Sequence, residues 1–342
     1  SSISCLARAS SRSSSQPCVR GMRARRLFGS AAVPICGVAA VQHSGQQRRS
    51  RTALAQFSCR PCTCAGTPWV PRLPDKGGRT LEVLLVRHGE STNNVAMSRV
   101  AEAASSKAEF EAAWLSQRVD DPGLTELGAR QAEVFAEAYG PDLRARGCVV
   151  YCSPLLRTLQ TAAALAERVQ CEVRVRPDLF EIGGVYTISA GGVRGGPGRS
   201  LTSGEIAERF PSYNVSALPP AGPWYQAGWE TDARGRARCA DVAAWLRREE
   251  TRSQLDGRVL VIVCHGHFID LLVKALLGLP DDATQDEPNT NNIFRRDVFF
   301  HSPNTSTTRL TIADDGRVQL HSFGDIGHLR VHGASSSVQV AG

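Results

Sequence analysis

The first 74 residues contain no aspartate, no glutamate and no lysine, yet eleven arginines fall among them. The formal charge of +7 is therefore a property of that stretch and not of the chain as a whole. Taking those eleven from the 40 basic residues leaves 29 against 33 acidic ones over positions 75–342, a net of −4. A net-acidic body with no basic stripe and interleaved aromatics argues against a nucleic-acid-binding module. Also missing is any apolar run of the roughly twenty residues that span a bilayer. The nearest, residues 27–41, is interrupted by Ser30, Pro34 and Gly37, so no membrane anchor is expected. Cysteine pairing is absent as well. Six of the eleven cysteines lie before Pro74, and the other five (Cys148, Cys152, Cys171, Cys239, Cys264) are odd in number and scattered. They read as reduced, buried small hydrophobes of an intracellular compartment, not as a disulfide framework. Cys59, Cys62 and Cys64 form C-x2-C-x-C, but no downstream pair has ligand spacing, so no metal is expected there.

What the first 74 residues do contain is Ser, Arg, Ala and Gln, the composition of an organellar transit peptide or, failing that, of a disordered basic tail. A plastid is expected ahead of a mitochondrion. Pro68 to Lys76 is dense in proline and reads as a linker. The expected organisation is a leader over 1–74, one folded catalytic domain over 75–332, and a flexible tail over 333–342.

Within the body, Leu81 to Asn94 reads LEVLLVRHGESTNN. A short apolar run of strand length stops at Arg87-His88-Gly89, as expected of a strand covered on both faces. Side chains at the carboxyl end of such a strand sit where open α/β sheets hold ligands. Ser91 to Asn94 are helix-capping types, and a helix N-terminus offers free N–H groups to an anion. Gly89 is expected to let backbone approach the ligand closely. Arg258 to Phe268 (RVLVIVCHGHF) repeats the arrangement, with a second strand ending in His265-Gly266 and a buried helix over 268–279. Two such strands in one sheet can set two imidazoles at one anion pocket.

The remaining elements follow from periodicity and punctuation. A helix with a break near Ser105-Ser106 is expected over 95–115. A second opens at Thr125 and stops at Gly140-Pro141, and a strand covers 148–152. A helix from Ser153-Pro154 carries Arg157 in its first turn, where its planar fork suits a phosphate. A strand at 171–175 leads to Glu181, and a glycine-rich loop follows from 183 to 199. The pattern predicts a short helix over 201–210, an amphipathic helix over 241–251, and closing strands over 299–312 and 318–323 with a turn at Asp314-Asp315-Gly316.

Six stretches in order resemble the histidine phosphatase superfamily, the phosphoglycerate-mutase-like group: RHGESTNN at 87–94, DPGLTELG at 121–128, SPLLRT at 153–158, Glu181 in LFEIGG, HGH at 265–267 and PNTS at 303–306. The resemblance covers about 81–329. It implies an α/β three-layer sandwich with a mostly parallel central sheet flanked by helices. It also implies phosphoryl transfer through His88, with Arg87, Asn94, Arg157 and His265 holding the phosphate and Glu181 protonating the leaving oxygen. Glu90 and Glu205 are the next candidates for that acid. Thr125 lies in a stretch that resembles the family loop beside the substrate or else forms only a turn and cap, and Arg194 and Arg199 either bind a second anionic group or belong to a flexible glycine-rich insertion without contacts. No cofactor is expected, since cationic side chains stand where magnesium serves elsewhere, and the expected partner is a small phosphorylated metabolite. The glycolytic mutases carry an Arg-Arg pair and a proline-rich run after the acid. Here Arg194 and Arg199 stand apart and only Pro219-Pro220 suggests such a run, which favours a phosphatase over a mutase. A non-catalytic phospho-ligand-binding or scaffolding protein is the alternative from another class.

Overall fold

A computed structural model describes residues 80–189, 192–255, 257–279 and 298–331 of the chain. The expected leader and tail lie outside the described residues.

The apolar runs form the centre of a seven-stranded sheet. Its strands are β1 (Leu81–Arg87), β2 (Cys148–Cys152), β3 (Val173–Val175), β6 (Tyr213–Asn214), β7 (Val259–Cys264), β8 (Thr307–Ile312) and β9 (Val318–Asp325), in the order β6-β3-β2-β7-β1-β8-β9. β1, β2, β3, β6 and β7 pair in parallel, and β8 closes antiparallel to β1. β1 and β7 have neighbours on both edges and helices on both faces, which is why their sequences are continuously apolar.

Alternation along these strands divides the core. Leu84 and Val86 of β1, with Val259, Val261 and Val263 of β7, face helices α3 (Glu126–Arg146) and α4 (Leu156–Val169). Leu81, Val83 and Leu85, with Leu260, Ile262 and Cys264, face α6 (Asp232–Arg247) and α8 (Gly266–Leu277). The result is the expected α/β three-layer sandwich with a mostly parallel sheet.

Over the carboxyl end of β1 lie α1 (Thr92–Ala103) and α2 (Lys107–Gln117), divided at Ser105-Ser106 as expected. Among the described residues no helix is long and apolar enough to cross a membrane.

Several elements differ from their expected form. α3 does not stop at Gly140-Pro141 but runs on to Arg146, because Leu143 is buried in the core and Gly140 packs against the Arg168 side chain, outweighing the cost of an internal proline. α6 starts at Asp232, capped by the Thr231 side chain, nine residues before the expected start; its last turn gives way to α7 (Glu249–Gln254). The glycine-rich loop holds a hairpin of β4 (Tyr186–Ile188) and β5 (Arg194–Pro197). Ahead of α6, α5 (Ser203–Arg209) matches expectation. Residues 299–306 form no strand; they wrap the site instead. Cys152, Cys239 and Cys264 are buried as expected, but Cys148 and Cys171 are only half-buried.

Candidate active site

Arg87 ends β1, and the chain then turns sharply through His88 and Gly89 into α1. The turn is gripped from both sides. The His88 N–H donates to the Cys264 carbonyl at 3.0 Å, while the His88 carbonyl accepts from the Thr305 amide at 3.2 Å and from Asn304 Nδ2 at 3.1 Å. The PNTS stretch is thus a cradle for the backbone of the turn. A Cβ on Gly89 would stand 2.4 Å from the Gly128 carbonyl oxygen, and one on Gly128 only 2.0 Å from that of Glu90. Gly89 therefore serves the contact with α3, not backbone contact with a ligand as the sequence suggested.

The His88 ring is 3% exposed and its tautomer is set by its partners. Nδ1 faces the Gly89 carbonyl at 2.7 Å, which can only accept; Nε2 faces Arg157 Nε at 3.2 Å, which can only donate. The proton is therefore on Nδ1 and the lone pair on Nε2. Burial, and after it Arg157 and Arg87, hold the imidazole well below its usual range, with the Gly89 carbonyl opposing. The ring is held neutral at ordinary pH, with its lone pair on Nε2.

Arg157 stands in the first turn of α4, whose leading amide, that of Leu156, donates to Asp121 Oδ1 at 2.9 Å. Burial raises the Asp121 carboxyl to about 6, against the pull of Arg157. Arg87 donates from Nη1 to the Ser302 carbonyl at 2.7 Å, and its buried Nε has no hydrogen-bond partner among the described residues. Burial, offset by Glu181 and reinforced by Arg157, brings its guanidinium down to about 10. A Cβ on Gly266 would lie 3.3 Å from that Nε, so the glycine after His265 makes room for the arginine. Two desolvated guanidiniums flanking one imidazole form a site that favours an anion.

His265 comes beside His88, ring centroids 5.2 Å apart, but is fully buried and does not line the open cavity. Its Nε2 meets Ser153 Oγ at 2.9 Å, and its Nδ1 has no partner among the described residues. Burial, with Arg157 next, keeps it well below the usual imidazole range. Asn94 lines the cavity and completes the capping box of α1 through its amide oxygen.

Glu181 lines the same cavity. Its Oε1 accepts from the Ile182 amide at 2.9 Å and from the Phe268 amide, in the first turn of α8, at 3.1 Å. Its loop is braced by Arg238 of α6, which donates from Nη1 to the carbonyls of Asp178 and Phe180 at 2.9 Å and pairs through Nε and Nη2 with buried Glu230. Arg238 was not legible in the sequence, since its partners lie 58 and 60 residues away.

Other expected site residues fall elsewhere. Thr125 caps α3 and donates to Glu90 Oε1 at 2.8 Å; neither lines the cavity. Arg199 is exposed and bonded to Glu205 at 2.8 Å, and Arg194 lies over the Trp229 ring at 4.3 Å, both outside the cavity. The carboxylates lining the cavity are Glu181 and Asp120. The sequence reading also missed Arg118, Trp114, Met97 and Phe299, which line a cavity of ≈ 240 Å³ extending outward from His88. The signal for Arg118 was its place just ahead of the DPGLTELG stretch.

Residues 83–325 match the histidine phosphatase superfamily (branch 1). The chain is 29% identical over 225 residues to a protein named "Probable phosphoglycerate mutase GpmB" of Photorhabdus laumondii, covering 65% of this chain and 87% of that one. It is 28% identical over 205 residues to glucosyl-3-phosphoglycerate phosphatase of Mycobacterium tuberculosis, covering 59% and 78% respectively. It spans only 15% and 31% of the length of two other curated relatives. Among solved structures, one named mycobacterial hydrolase 1 aligns with a TM-score of 0.42 at 24% identity, over 72% of this chain and 99% of that one. With the Arg-His-Gly turn, the paired imidazoles and the family match running from β1 into β9, the chain belongs to the histidine phosphatase superfamily.

Proposed function

We propose that the protein is a phosphomonoester hydrolase that works through a phosphohistidine on His88, without a metal. The observation that carries this reading is the orientation of the imidazole: its proton is committed to the Gly89 carbonyl at 2.7 Å, and its lone pair is on Nε2, beside Arg157. Neutral imidazole is a competent nucleophile, and a covalent intermediate splits one hard displacement into two easier ones.

In the first step Nε2 bonds to phosphorus as the bond to the leaving oxygen breaks, and Glu181 gives that oxygen its proton. In the second, Glu181 takes a proton from water, the water oxygen bonds to phosphorus, and the N–P bond breaks to release phosphate and free His88. Arg87 and Arg157 stabilise the equatorial oxygens, Asn94 adds an N–H, and buried His265 packs beside the His88 ring with centroids 5.2 Å apart. Such electrostatic preorganisation is the main catalytic contribution in phosphoryl transfer.

The mutase alternative needs a second anion site to reseat the product. Arg194 and Arg199 lie outside the cavity, and Arg118 is bonded to Asp120 at 2.9 Å, which favours the hydrolase. His88→Ala is expected to abolish turnover of every phosphomonoester while the far-ultraviolet circular dichroism is kept, and wild-type activity is expected to survive EDTA. Substantial turnover by the variant contradicts the covalent route. The arginine-rich first 74 residues support delivery to an organelle, a plastid ahead of a mitochondrion; a fluorescent fusion that stays in the cytosol contradicts it.

A further inference from the structure

Beyond the two arginines that flank His88, the cavity changes character. Its outer wall is built from Met97 and Ala101 on one face of α1, Trp114 near the end of α2, Tyr186 of β4 and Phe299. Two of these rings are fixed by their neighbours. Tyr186 stands edge-on to Trp229 with centroids 4.6 Å apart, and its carbonyl accepts from Arg118 Nη2 at 2.8 Å. Phe299 is pinned through the backbone on either side of it. The Phe300 amide donates to Asp270 Oδ1 at 2.9 Å, and the Val298 carbonyl accepts from Lys274, the buried partner of Asp270.

The charged pair of this outer region is balanced within the protein, and its two imidazoles, His267 and His301, stand against the Phe299 ring with centroids 5.7 and 6.4 Å away. The charged pair is Arg118 and Asp120, bonded at 2.9 Å, and the Arg118 guanidinium also lies 4.4 Å above the Tyr186 ring. The Arg118 side chain is 9% exposed, so both its charge and its ring contact are largely satisfied within the protein. A carboxylate or second phosphate entering here would meet the Asp120 carboxylate and would have to break that pair. An apolar ring would meet aromatic and thioether surface and lose only water.

We propose that the outer cavity selects a phosphomonoester whose alcohol portion is apolar and aromatic and carries no second anionic group. This rests on the phosphatase reading above and adds the substrate class. The phosphate is held by Arg87 and Arg157, and the ring of the alcohol packs between Trp114 and Phe299 with Met97 at its edge.

The test must separate ring recognition from leaving-group ability, so all esters used are alkyl. The kcat/KM of the full chain is measured at pH 8 for 2-phenylethyl phosphate, glycerol 3-phosphate and 3-phosphoglycerate. The phenyl ester is expected to lead both others by about tenfold or more, from ring burial and aromatic contact. Trp114→Ala is expected to cost the phenyl ester about tenfold more than it costs glycerol 3-phosphate, chiefly in KM, and Trp114→Phe to recover most of the loss. α2 buries no side chain fully, so neither substitution opens the core. Turnover that favours 3-phosphoglycerate, or an equal loss on both esters in Trp114→Ala, overturns the substrate class and leaves the phosphatase standing. No turnover of any ester, with no phosphate on His88, overturns the phosphatase reading and this inference with it.

Discussion

A neutral imidazole carries its proton on one nitrogen and its lone pair on the other, and which is which decides whether a histidine can attack. His88 has that choice made by the carbonyl of the next residue. Burial then keeps it and His265 neutral, with consequences for stability. Unfolded, each ring takes up a proton as pH falls through about 6.5; folded, it resists until well below. Their contribution to stability is whole above pH 6.5 and declines below it, by about 1.4 kcal/mol per pH unit for each ring. Asp121, raised to about 6, works the other way below pH 6, because the folded state binds its proton first. Two rings outweigh one carboxyl, so urea midpoints are expected to fall from pH 7 to 5.5. Nuclear magnetic resonance is expected to show neither ring titrating near 6.5 in the folded protein, and a midpoint there contradicts the assignment. Glu181 makes its own prediction. A general acid matters most for a poor leaving group and is worth roughly 10²–10⁴ in rate. Glu181→Gln is expected to cost that much in single-turnover phosphorylation by an alkyl phosphate and far less with p-nitrophenyl phosphate. Equal losses mean that Glu181 is not the proton donor.

At the scale of elements, His88 is placed by a contact between two backbones. The turn after β1 and the first turn of α3 meet through Gly89 and Gly128 with no room for a Cβ on either. Gly128→Ala is expected to destabilise the fold by about 1–3 kcal/mol, as overpacking does, and to lower activity beyond what unfolding accounts for, because the backbone that moves carries His88. A denaturant midpoint within error of wild type contradicts that account. This contact also shows how far the sequence could be read. β1 and β7 were legible because strands buried on both faces are apolar throughout, and the groups at their ends were legible by position. The β4–β5 hairpin was not, since Arg194–Pro197 is largely exposed and glycine-rich and offers no alternation. The length of α3 was hidden because Leu143 and Arg168 override a Gly-Pro signal only once packed. Glu181 could be found by its apolar and glycine flanks, but Arg238, which braces its loop, and Trp114, which walls the cavity, take their roles only from tertiary neighbours.

For the whole molecule, the sheet brings to one end two strands far apart in sequence, β1 and β7, and the helices that follow β1 and β2 supply Asn94 and Arg157. Glu181 arrives on the loop after β3, held to the first turn of α8. The central claim is that these pieces converge on one atom, His88 Nε2. The most direct measurement is rapid acid-free quench of the full chain with a ³²P-labelled alkyl phosphate, followed by alkaline digestion and separation of the phosphohistidine isomers. The account predicts label on His88 alone, as the Nε2 isomer, formed and lost at rates compatible with turnover. Label on Nδ1, label on His265, or full turnover with no phosphoprotein at any time would contradict it.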